Sequence, residues 1–218
     1  MLTLVLTRHG ATPRSEPEQH LGQRIDIGLS EKGRAAASSL GERLRDVPFE
    51  RVVASPLKRA RETAEIAVPG AEVEADDRLL EMDYGRWEGL TYGEIDARDA
   101  EARRFWEADP ANLACPGGES GSDVGRRVRS FLEQLIESTL TGDTATDHRV
   151  LAVAHSTTNR ILIAVALGVP LRDYRRRFKQ DPANLTVLRF AGQLGSGGLM
   201  LVGNDVAHCK GMSGPTWD

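Results

Sequence analysis

The chain has 218 residues, which is long enough for one sizeable hydrophobic core and short for two. Hydrophobic residues make up 40% and charged residues 28%, so the composition is that of a globular protein and not of a disordered or fibrous one. The formal net charge of −4 excludes a sequence-wide attraction to nucleic acid or anionic membranes, so phosphate binding would have to come from a local cluster of basic residues.

The cysteines and the apolar segments bear on the cellular compartment. Cys115 and Cys209 are far apart and fit neither a disulfide framework nor a zinc motif. The apolar run at 2–6 lacks the basic region and cleavage site of a signal peptide, and no segment has the length needed to span a membrane. We therefore expect reduced thiols, a cytoplasmic location and no membrane partner.

The first half of the chain alternates short apolar runs, which predict strands, with segments of helical period. Ser30 and Ser55 each precede a helical segment, where a serine can cap free amides, and Pro56 fits the first helical turn without losing a needed donor. A polar loop over 11–27 follows the first strand. In chain order the predicted elements are a strand at 2–6, a helix at 31–45, a strand at 51–54, a helix at 56–67 and a weak strand at 72–75.

The second half repeats this alternation after a middle section that is rich in loops. Residues 78–90 are predicted as a functional loop, and Thr91 with Glu94 fits a capping box that opens short helical pieces in a lid-like insertion at about 91–118. The remaining predicted elements are a helix at 121–139, a strand at 149–154, a helix at 156–167 capped by Ser156 and ended by Gly168, and a hairpin of strands at 185–190 and 198–202.

Strands that alternate with helices predict a mainly parallel sheet with helices on both faces. We therefore expect one α/β domain over residues 1–218, a three-layer α/β/α sandwich with an antiparallel edge strand in its central sheet. Because the carboxyl ends of parallel strands meet at one crevice, residues that follow those strands should lie close together.

Two histidines directly follow predicted buried strands, His9 after the first and His155 after the strand at 149–154. Arg8 and Arg59 would present planar, charged guanidinium groups to phosphate oxygens, and the predicted helix starts at 56 and 156 would add backbone amides. The pattern predicts a phosphate pocket. In it, one ring nitrogen of His9 would attack phosphorus while the other donates to a backbone carbonyl, and His155 would stabilise the transferring oxygens.

A phosphate monoester also needs a proton for its leaving oxygen, and a nearby carboxyl group can supply it. Glu81 is the candidate, because its neighbours Leu79, Leu80 and Met82 predict an apolar setting that favours the protonated form. Asp83 is the competing carboxylate.

Taken together, these fragments resemble the histidine phosphatase superfamily, the phosphoglycerate mutase-like group. The resemblance covers almost the whole chain and rests on the order and spacing of Arg8-His9-Gly10, Ser55-Pro-Leu-Lys-Arg59, Glu81 with the segment at 84–89, and Ala154-His155. It implies a phosphohistidine intermediate on His9, Glu81 as proton donor, and no metal or organic cofactor. It also implies that Arg8, Arg59 and His155 are phosphate ligands.

The chain departs from the family pattern in the loop at 11–27. Ser15 stands near a position where an asparagine is common, and we predict that it donates to phosphate, as does the backbone amide of Ser156. Gln23 or Arg24 is predicted to contact the substrate.

Three functions are compatible with this pattern. Hydrolysis of a small phosphorylated metabolite is favoured, because the insertion is short for a mutase; mutase-type phosphoryl transfer and a phosphate-binding module without turnover are the alternatives. A homodimer is left open. Further interpretations concern other residues. The arginines within 172–177 are predicted to form a solvated face, with contact to an anionic substrate or partner as the alternative. His20 is predicted to be a loop surface residue, with a place over the pocket as the alternative; Trp87, Phe105 and Trp106 form the core or an apolar substrate wall, and Cys115 has no chemistry.

Overall fold

A computed structural model describes residues 1–140 and 146–209, and its centre is a six-stranded sheet of order β3-β2-β4-β1-β5-β6. Neighbouring strands from β3 to β1 are parallel, whereas β5 is antiparallel to both β1 and β6. The predicted mainly parallel sheet is therefore confirmed. In chain order the strands are β1 (Leu2–Arg8), β2 (Arg51–Ala54), β3 (Val73–Ala75), β4 (His148–Ala154), β5 (Leu185–Phe190) and β6 (Leu199–Asp205).

Helices cover both faces of the sheet, as the three-layer prediction requires. In chain order they are α1 (Glu31–Leu44), α2 (Lys58–Ala67), α3 (Tyr92–Ala108), α4 (Gly121–Thr139), α5 (Ser156–Ala166) and α6 (Tyr174–Arg177). Along β1 the side chains alternate between the two layers: Leu4 and Leu6 pack with the α4 and α5 side, and Val5 packs with the α1 and α2 side. The predicted domain range 1–218 includes 141–145 and 210–218, which lie outside the described residues.

The register of β1 against β4 positions the two histidines. The two strands pair in parallel from Leu2 with His148 to Arg8 with Ala154, and the amide of His9 donates to the carbonyl of Ala154 over 2.9 Å. His9 and His155 therefore leave the sheet at the same level. Both strands are almost fully buried, which explains why their sequences are continuous apolar runs instead of alternating ones.

A close backbone contact fixes the loop that follows β1. A β-carbon on Gly10 would lie 2.5 Å from the carbonyl oxygen of Gly33, and one on Gly33 would lie 2.0 Å from that of Ala11. Only glycine allows the start of α1 to pack directly on the residues after His9. The predicted cap at Ser30 is confirmed, since its Oγ accepts from the Gly33 amide over 3.1 Å.

One predicted helix start and two predicted caps are wrong, whereas the start of α5 at residue 156 is confirmed. Helix α2 begins at Lys58 instead of residue 56, and the Lys58 amide donates to Asp26 Oδ1 over 2.7 Å, so this helix end is already occupied. Ser55 is not its cap. In α5 the cap position belongs to His155, and Ser156 is the first helical residue. Both serines lie at strand ends next to the site, where tertiary contacts outweigh the local capping preference.

The insertion after β3 is more helical than the sequence predicts. Its short helical pieces are one helix, α3, with a kink at Asp99, whose side chain accepts from Trp87 Nε1 over 3.0 Å. The capping box of Thr91 and Glu94 is confirmed. Within residues 1–140 and 146–209, no helix is long and apolar enough to cross a membrane.

Candidate active site

His9 is buried at the carboxyl end of β1 with one ring nitrogen engaged and the other free to react. Its Nδ1 donates to the carbonyl of Gly10 over 2.7 Å, as predicted, and this tautomer leaves the lone pair on Nε2. Burial lowers the pKa of His9 well below its usual value, and the charges of Arg59 and Arg8 lower it further. The imidazole is therefore a neutral nucleophile at neutral pH.

His155 lies beside it, with 5.1 Å between the ring centroids. Ser55 Oγ accepts from the Leu57 amide over 3.4 Å, which leaves its own proton for Nε2 of His155 at 2.8 Å. With Ser55 donating to Nε2, the ring proton of His155 would be on Nδ1, which is buried and has no hydrogen-bond partner among the described residues. Burial and the charge of Arg59 lower the pKa of His155 well below its usual value. Its Nδ1–H is a neutral donor that a phosphate oxygen can use.

Arg8 reaches the cavity next to His9 and is held from two sides. Its Nη1 donates to the carbonyl of Gln180 over 3.0 Å and its Nη2 to Glu18 over 2.9 Å. The backbone amide of Arg8 donates to Asn184 Oδ1 over 2.9 Å. Its Nε is buried and unpartnered within the described part of the chain. The structure therefore agrees with a guanidinium that is pre-oriented at the mouth of the site.

Arg59 differs from the predicted phosphate ligand. The residue is 0% exposed and does not line the cavity; Nη2 donates to the carbonyls of Leu21 and Gly22, and Nη1 to that of Ile25. Its positive charge nevertheless lies close enough to lower the pKa of both histidines. In this structure Arg59 acts through its charge and through the loop carbonyls that it holds in place, and only its buried Nε lacks a partner.

Glu81 lines the cavity and is 4% exposed, but its setting is not the apolar one that its sequence neighbours predict. Its carboxylate accepts from the amide of Met82, from the amides of Thr157 and Thr158 at the start of α5, and from Thr158 Oγ1. Two of these donors are main-chain amides of α5, which is distant from Glu81 in the sequence. The residues around Glu81 in the sequence therefore could not predict this environment. These bonds orient the carboxyl group at the cavity. Asp83 does not line the cavity, which favours Glu81 over its competitor.

The other predicted binding residues separate into two pairs. Ser15 and Ser156 line the cavity, and Ser15 Oγ accepts from the Thr12 amide over 2.9 Å, so its hydroxyl proton is free for a ligand. Gln23 and Arg24 do not line it. Gln23 donates to the carbonyl of Glu81 over 2.8 Å and Arg24 pairs with Asp83, so in this structure both support the loop that carries Glu81. Their contact with substrate stays a prediction.

Sequence reasoning missed part of the cavity wall. His20 is 8% exposed, packs edge-on against Tyr84 and Tyr92 and lines the cavity, so its interpretation as a surface residue is wrong and the alternative place at the pocket is confirmed; burial lowers its pKa. Trp106 serves both predicted roles, because it is buried in the core and also lines the cavity. Phe105 is 63% exposed and does not belong to the wall.

The wall also contains Arg14 from the loop after β1, Arg160 from α5 and Arg175 from α6. The interpretation of 172–177 as a solvated face is therefore wrong for Arg175. A signal for Arg160 was available, since it lies four residues after Ser156 on the same helix face.

The chain offers few other reactive groups at this place. Burial raises the pKa of Cys115 to about 12, so its thiol stays protonated, which agrees with the prediction that it has no chemistry. Among residues 1–140 and 146–209, no three or more histidine, cysteine or acidic side chains are arranged to hold a metal ion.

Comparison with known proteins decides the family. The model of the histidine phosphatase superfamily (branch 1) matches residues 4–197. The chain belongs to the histidine phosphatase superfamily. It resembles Bacillus stearothermophilus YhfR, a solved structure, with a TM-score of 0.85 and 31% sequence identity over 96% of this chain and 100% of that one.

Curated relatives of this histidine phosphatase family member differ in length. The chain is 38% identical over 190 residues to the bifunctional protein Rv2228c of Mycobacterium tuberculosis, which covers 86% of this chain and 50% of that protein, so it spans about half the length of this relative. It is 36% identical over 175 residues to a glucosyl-3-phosphoglycerate phosphatase of Mycolicibacterium vanbaalenii, covering 78% of this chain and 76% of the relative.

Proposed function

We propose that the protein is a phosphatase that hydrolyses phosphate monoesters of small metabolites through a phosphohistidine on His9. The observation that carries this proposal is the buried, neutral imidazole whose Nδ1 is fixed on Gly10 and whose Nε2 is free beside Arg8. The phosphatase named among its relatives supports hydrolysis of a phosphorylated metabolite.

The proposed reaction has two displacements at phosphorus. In the first, the lone pair on His9 Nε2 forms a bond to phosphorus, the bond from phosphorus to the ester oxygen breaks, and Glu81 gives its proton to that oxygen. In the second, water attacks the phosphohistidine, Glu81 takes a proton from the water, and the bond between nitrogen and phosphorus breaks. Inorganic phosphate leaves, and both side chains return to their starting states.

Charge stabilisation accompanies both displacements. The transferring oxygens would receive the Nδ1–H of His155 and the guanidinium of Arg8, while the buried charge of Arg59 acts on the same region. Donors that are already in place cost no reorganisation when charge develops, which is the largest single contribution in many enzymes. Ser15 and Ser156 are proposed as further phosphate donors.

We also propose that turnover needs no metal or organic cofactor, since the arginines and His155 supply the positive charge and the donors. Protein dialysed against a chelator should keep its full phosphatase activity, and added divalent metal should not raise it. Loss of activity that a metal restores would contradict this part of the proposal.

The experiment that tests the function is release of inorganic phosphate from a panel of phosphorylated metabolites, with His9→Ala as the control. We expect hydrolysis that falls by at least about a thousandfold in His9→Ala. Incubation with 3-phosphoglycerate separates the mutase alternative, because a mutase produces the 2-phospho isomer faster than inorganic phosphate. Binding of phosphate without any hydrolysis would favour the non-catalytic module.

A further inference from the structure

Three arginines that the proposed phosphoryl transfer does not use line the same cavity, the exposed Arg14 and the half-buried Arg160 and Arg175. Arg160 lies one turn into α5 beyond Ser156, and Arg175 lies on α6. The guanidinium of Arg175 stacks on the ring of Trp106 from α3, with its central carbon 4.4 Å from the ring centroid. The two side chains therefore come from different elements to one wall.

This wall carries buried donors without acceptors. Arg160 Nε and Arg175 Nη1 are buried and have no hydrogen-bond partner within the described residues, and the same holds for Trp106 Nε1. Leaving several buried polar groups unpaired in one place is unfavourable, and it is typical of a site that a ligand completes.

No carboxylate of the chain neutralises these two arginines. Among residues 1–140 and 146–209, neither Arg160 nor Arg175 forms an ion pair, whereas the neighbours Arg176 and Arg177 both pair with Asp173, at 2.5 Å and 3.6 Å. The two carboxylates of the cavity wall are engaged elsewhere, Glu18 with Arg8 and Glu81 with the donors of Met82 and α5. The positive charge is therefore free for an anion from outside.

The charges of Arg160 and Arg175 act on other groups than the charges beside His9, where the phosphate is proposed to bind. Besides burial, the pKa of His9 is lowered by Arg59 and Arg8. The charge of Arg175 instead lowers the pKa of His20, and together with Arg160 it partly offsets the effect of burial on Tyr174. The two pairs of arginines thus act on different parts of the site.

We propose that Arg160 and Arg175 bind a second anionic group, a carboxylate or a second phosphate, on the leaving-group side of the substrate. This inference rests on the proposed phosphatase function and narrows it to monoesters that carry another negative charge. The planar guanidinium fork matches two oxygens of either group, and the stacking on Trp106 holds the Arg175 plane in one orientation. Monoesters of neutral alcohols are then poor substrates.

The test compares substrates that differ in one group. Glycerol 3-phosphate and 3-phosphoglycerate have a hydroxymethyl group and a carboxylate at the same position, and propane-1,3-diol bisphosphate tests a second phosphate against its monophosphate. We expect the second anion to raise kcat/KM by at least about tenfold in the wild-type protein. The larger of the two effects identifies the group that the site takes.

Variants connect this preference to the two arginines. Arg160→Gln and Arg175→Gln should each lower the ratio of kcat/KM for the substrate with a second anionic group over kcat/KM for the substrate without it. We expect a decrease of about tenfold, mainly through KM. Arg176→Gln is the matched control, because Arg176 lies on the same short helix, is 77% exposed and pairs with Asp173. It should leave the ratio at the wild-type value.

The same comparison by calorimetry on His9→Ala protein needs no turnover. Tighter binding of 3-phosphoglycerate or of the bisphosphate than of the neutral monoester, lost in the double variants with Arg160→Gln or Arg175→Gln, supports the anion site even if hydrolysis fails. Equal binding and equal kcat/KM for neutral and anionic substrates would overturn it, as would arginine variants that weaken both substrates equally. Hydrolysis of glycerol 3-phosphate that depends on His9 would then leave the phosphatase proposal intact.

Discussion

His9 can attack phosphorus only while its Nε2 carries no proton. Because burial and the charges of Arg59 and Arg8 lower its pKa, the acid limb of the pH profile of kcat/KM should lie below the ordinary histidine value of 6.5. Arg8→Gln removes one of these charges, raises the pKa of His9 and should move the acid limb to higher pH. The measurement is kcat/KM against pH on one substrate.

A control for this shift is Arg43→Gln, since Arg43 is an exposed residue of α1 away from the cavity. Its profile should match that of the wild type. An acid limb that stays in place in Arg8→Gln would contradict the electrostatic account of the nucleophile.

Glu81 can be tested through the leaving group. A leaving oxygen that is already a weak base needs little protonation, so Glu81→Gln should slow phosphoenzyme formation by about a hundredfold or more with an alkyl phosphate but by less than about tenfold with p-nitrophenyl phosphate. Hydrolysis of the phosphohistidine also slows, so a burst of p-nitrophenol should appear. Asp83→Asn is the control and should show neither effect. A uniform loss on both substrates would argue against proton donation.

Single residues also mark how far the sequence alone leads. His9, His155 and Glu81 could be identified because they follow predicted strands or a distinctive loop. The fold brings His9 and Glu81 to one cavity and places the buried His155 ring 5.1 Å from that of His9. The environment of Glu81 could not, because its donors come from Thr157 and Thr158 on a distant segment. The same holds for Arg59. Its position could be predicted, but the loop carbonyls that accept hydrogen bonds from its guanidinium come to it only through tertiary packing.

Among the elements, the strands and long helices were predictable and the caps beside the site were not. Helix α4 has the predicted bounds, because its apolar face is continuous over the whole length. Helix α2 starts two residues later than predicted, and α5 starts where predicted but is not capped by Ser156. Ser55 contacts His155 instead of capping α2, and His155 itself takes the cap position of α5. Local capping rules fail where a catalytic contact competes for the same side chain.

The contact between the loop after β1 and the start of α1 gives a prediction about stability. Gly33→Ala would place a β-carbon 2.0 Å from the Ala11 carbonyl oxygen, so the backbone must move. We expect a loss of about 1–3 kcal/mol in the free energy of unfolding, and reduced activity because His9 is displaced. Denaturant unfolding and kcat measure the two effects.

Gly93→Ala is the matched control in α3, where a new β-carbon meets no atom within 4 Å. It should raise the free energy of unfolding by about 0.5–1 kcal/mol, the usual gain from alanine in a helix. Equal effects of the two substitutions would contradict the role of the Gly10 and Gly33 contact.

For the molecule as a whole, the buried histidines should make stability depend on pH. His9, His155 and His20 have folded-state pKa values below 6.5, whereas the unfolded chain takes up protons on these residues near that value. Unfolding therefore binds protons below about pH 6.5, and the free energy of unfolding should fall as the pH is lowered, by up to about 1.4 kcal/mol per pH unit for each histidine.

Denaturant titrations between about pH 7.5 and about pH 5.5 check this slope, above the range where most carboxylates titrate. His20→Gln should reduce the slope, because one buried neutral histidine is removed. Stability that is constant over this range, or that rises as the pH falls, would contradict the burial of neutral imidazoles.

The central claim is that the phosphoryl group passes through His9, and the most direct test is to trap it there. The wild-type protein and the Glu81→Gln variant would be mixed with a monoester that the protein hydrolyses, quenched in base within the first turnover and digested for mass spectrometry. The account predicts an acid-labile, base-stable phosphoryl group on the peptide that contains His9, with none in His9→Ala. Hydrolysis that proceeds with no phosphoryl group on His9, or that persists in His9→Ala, would contradict it.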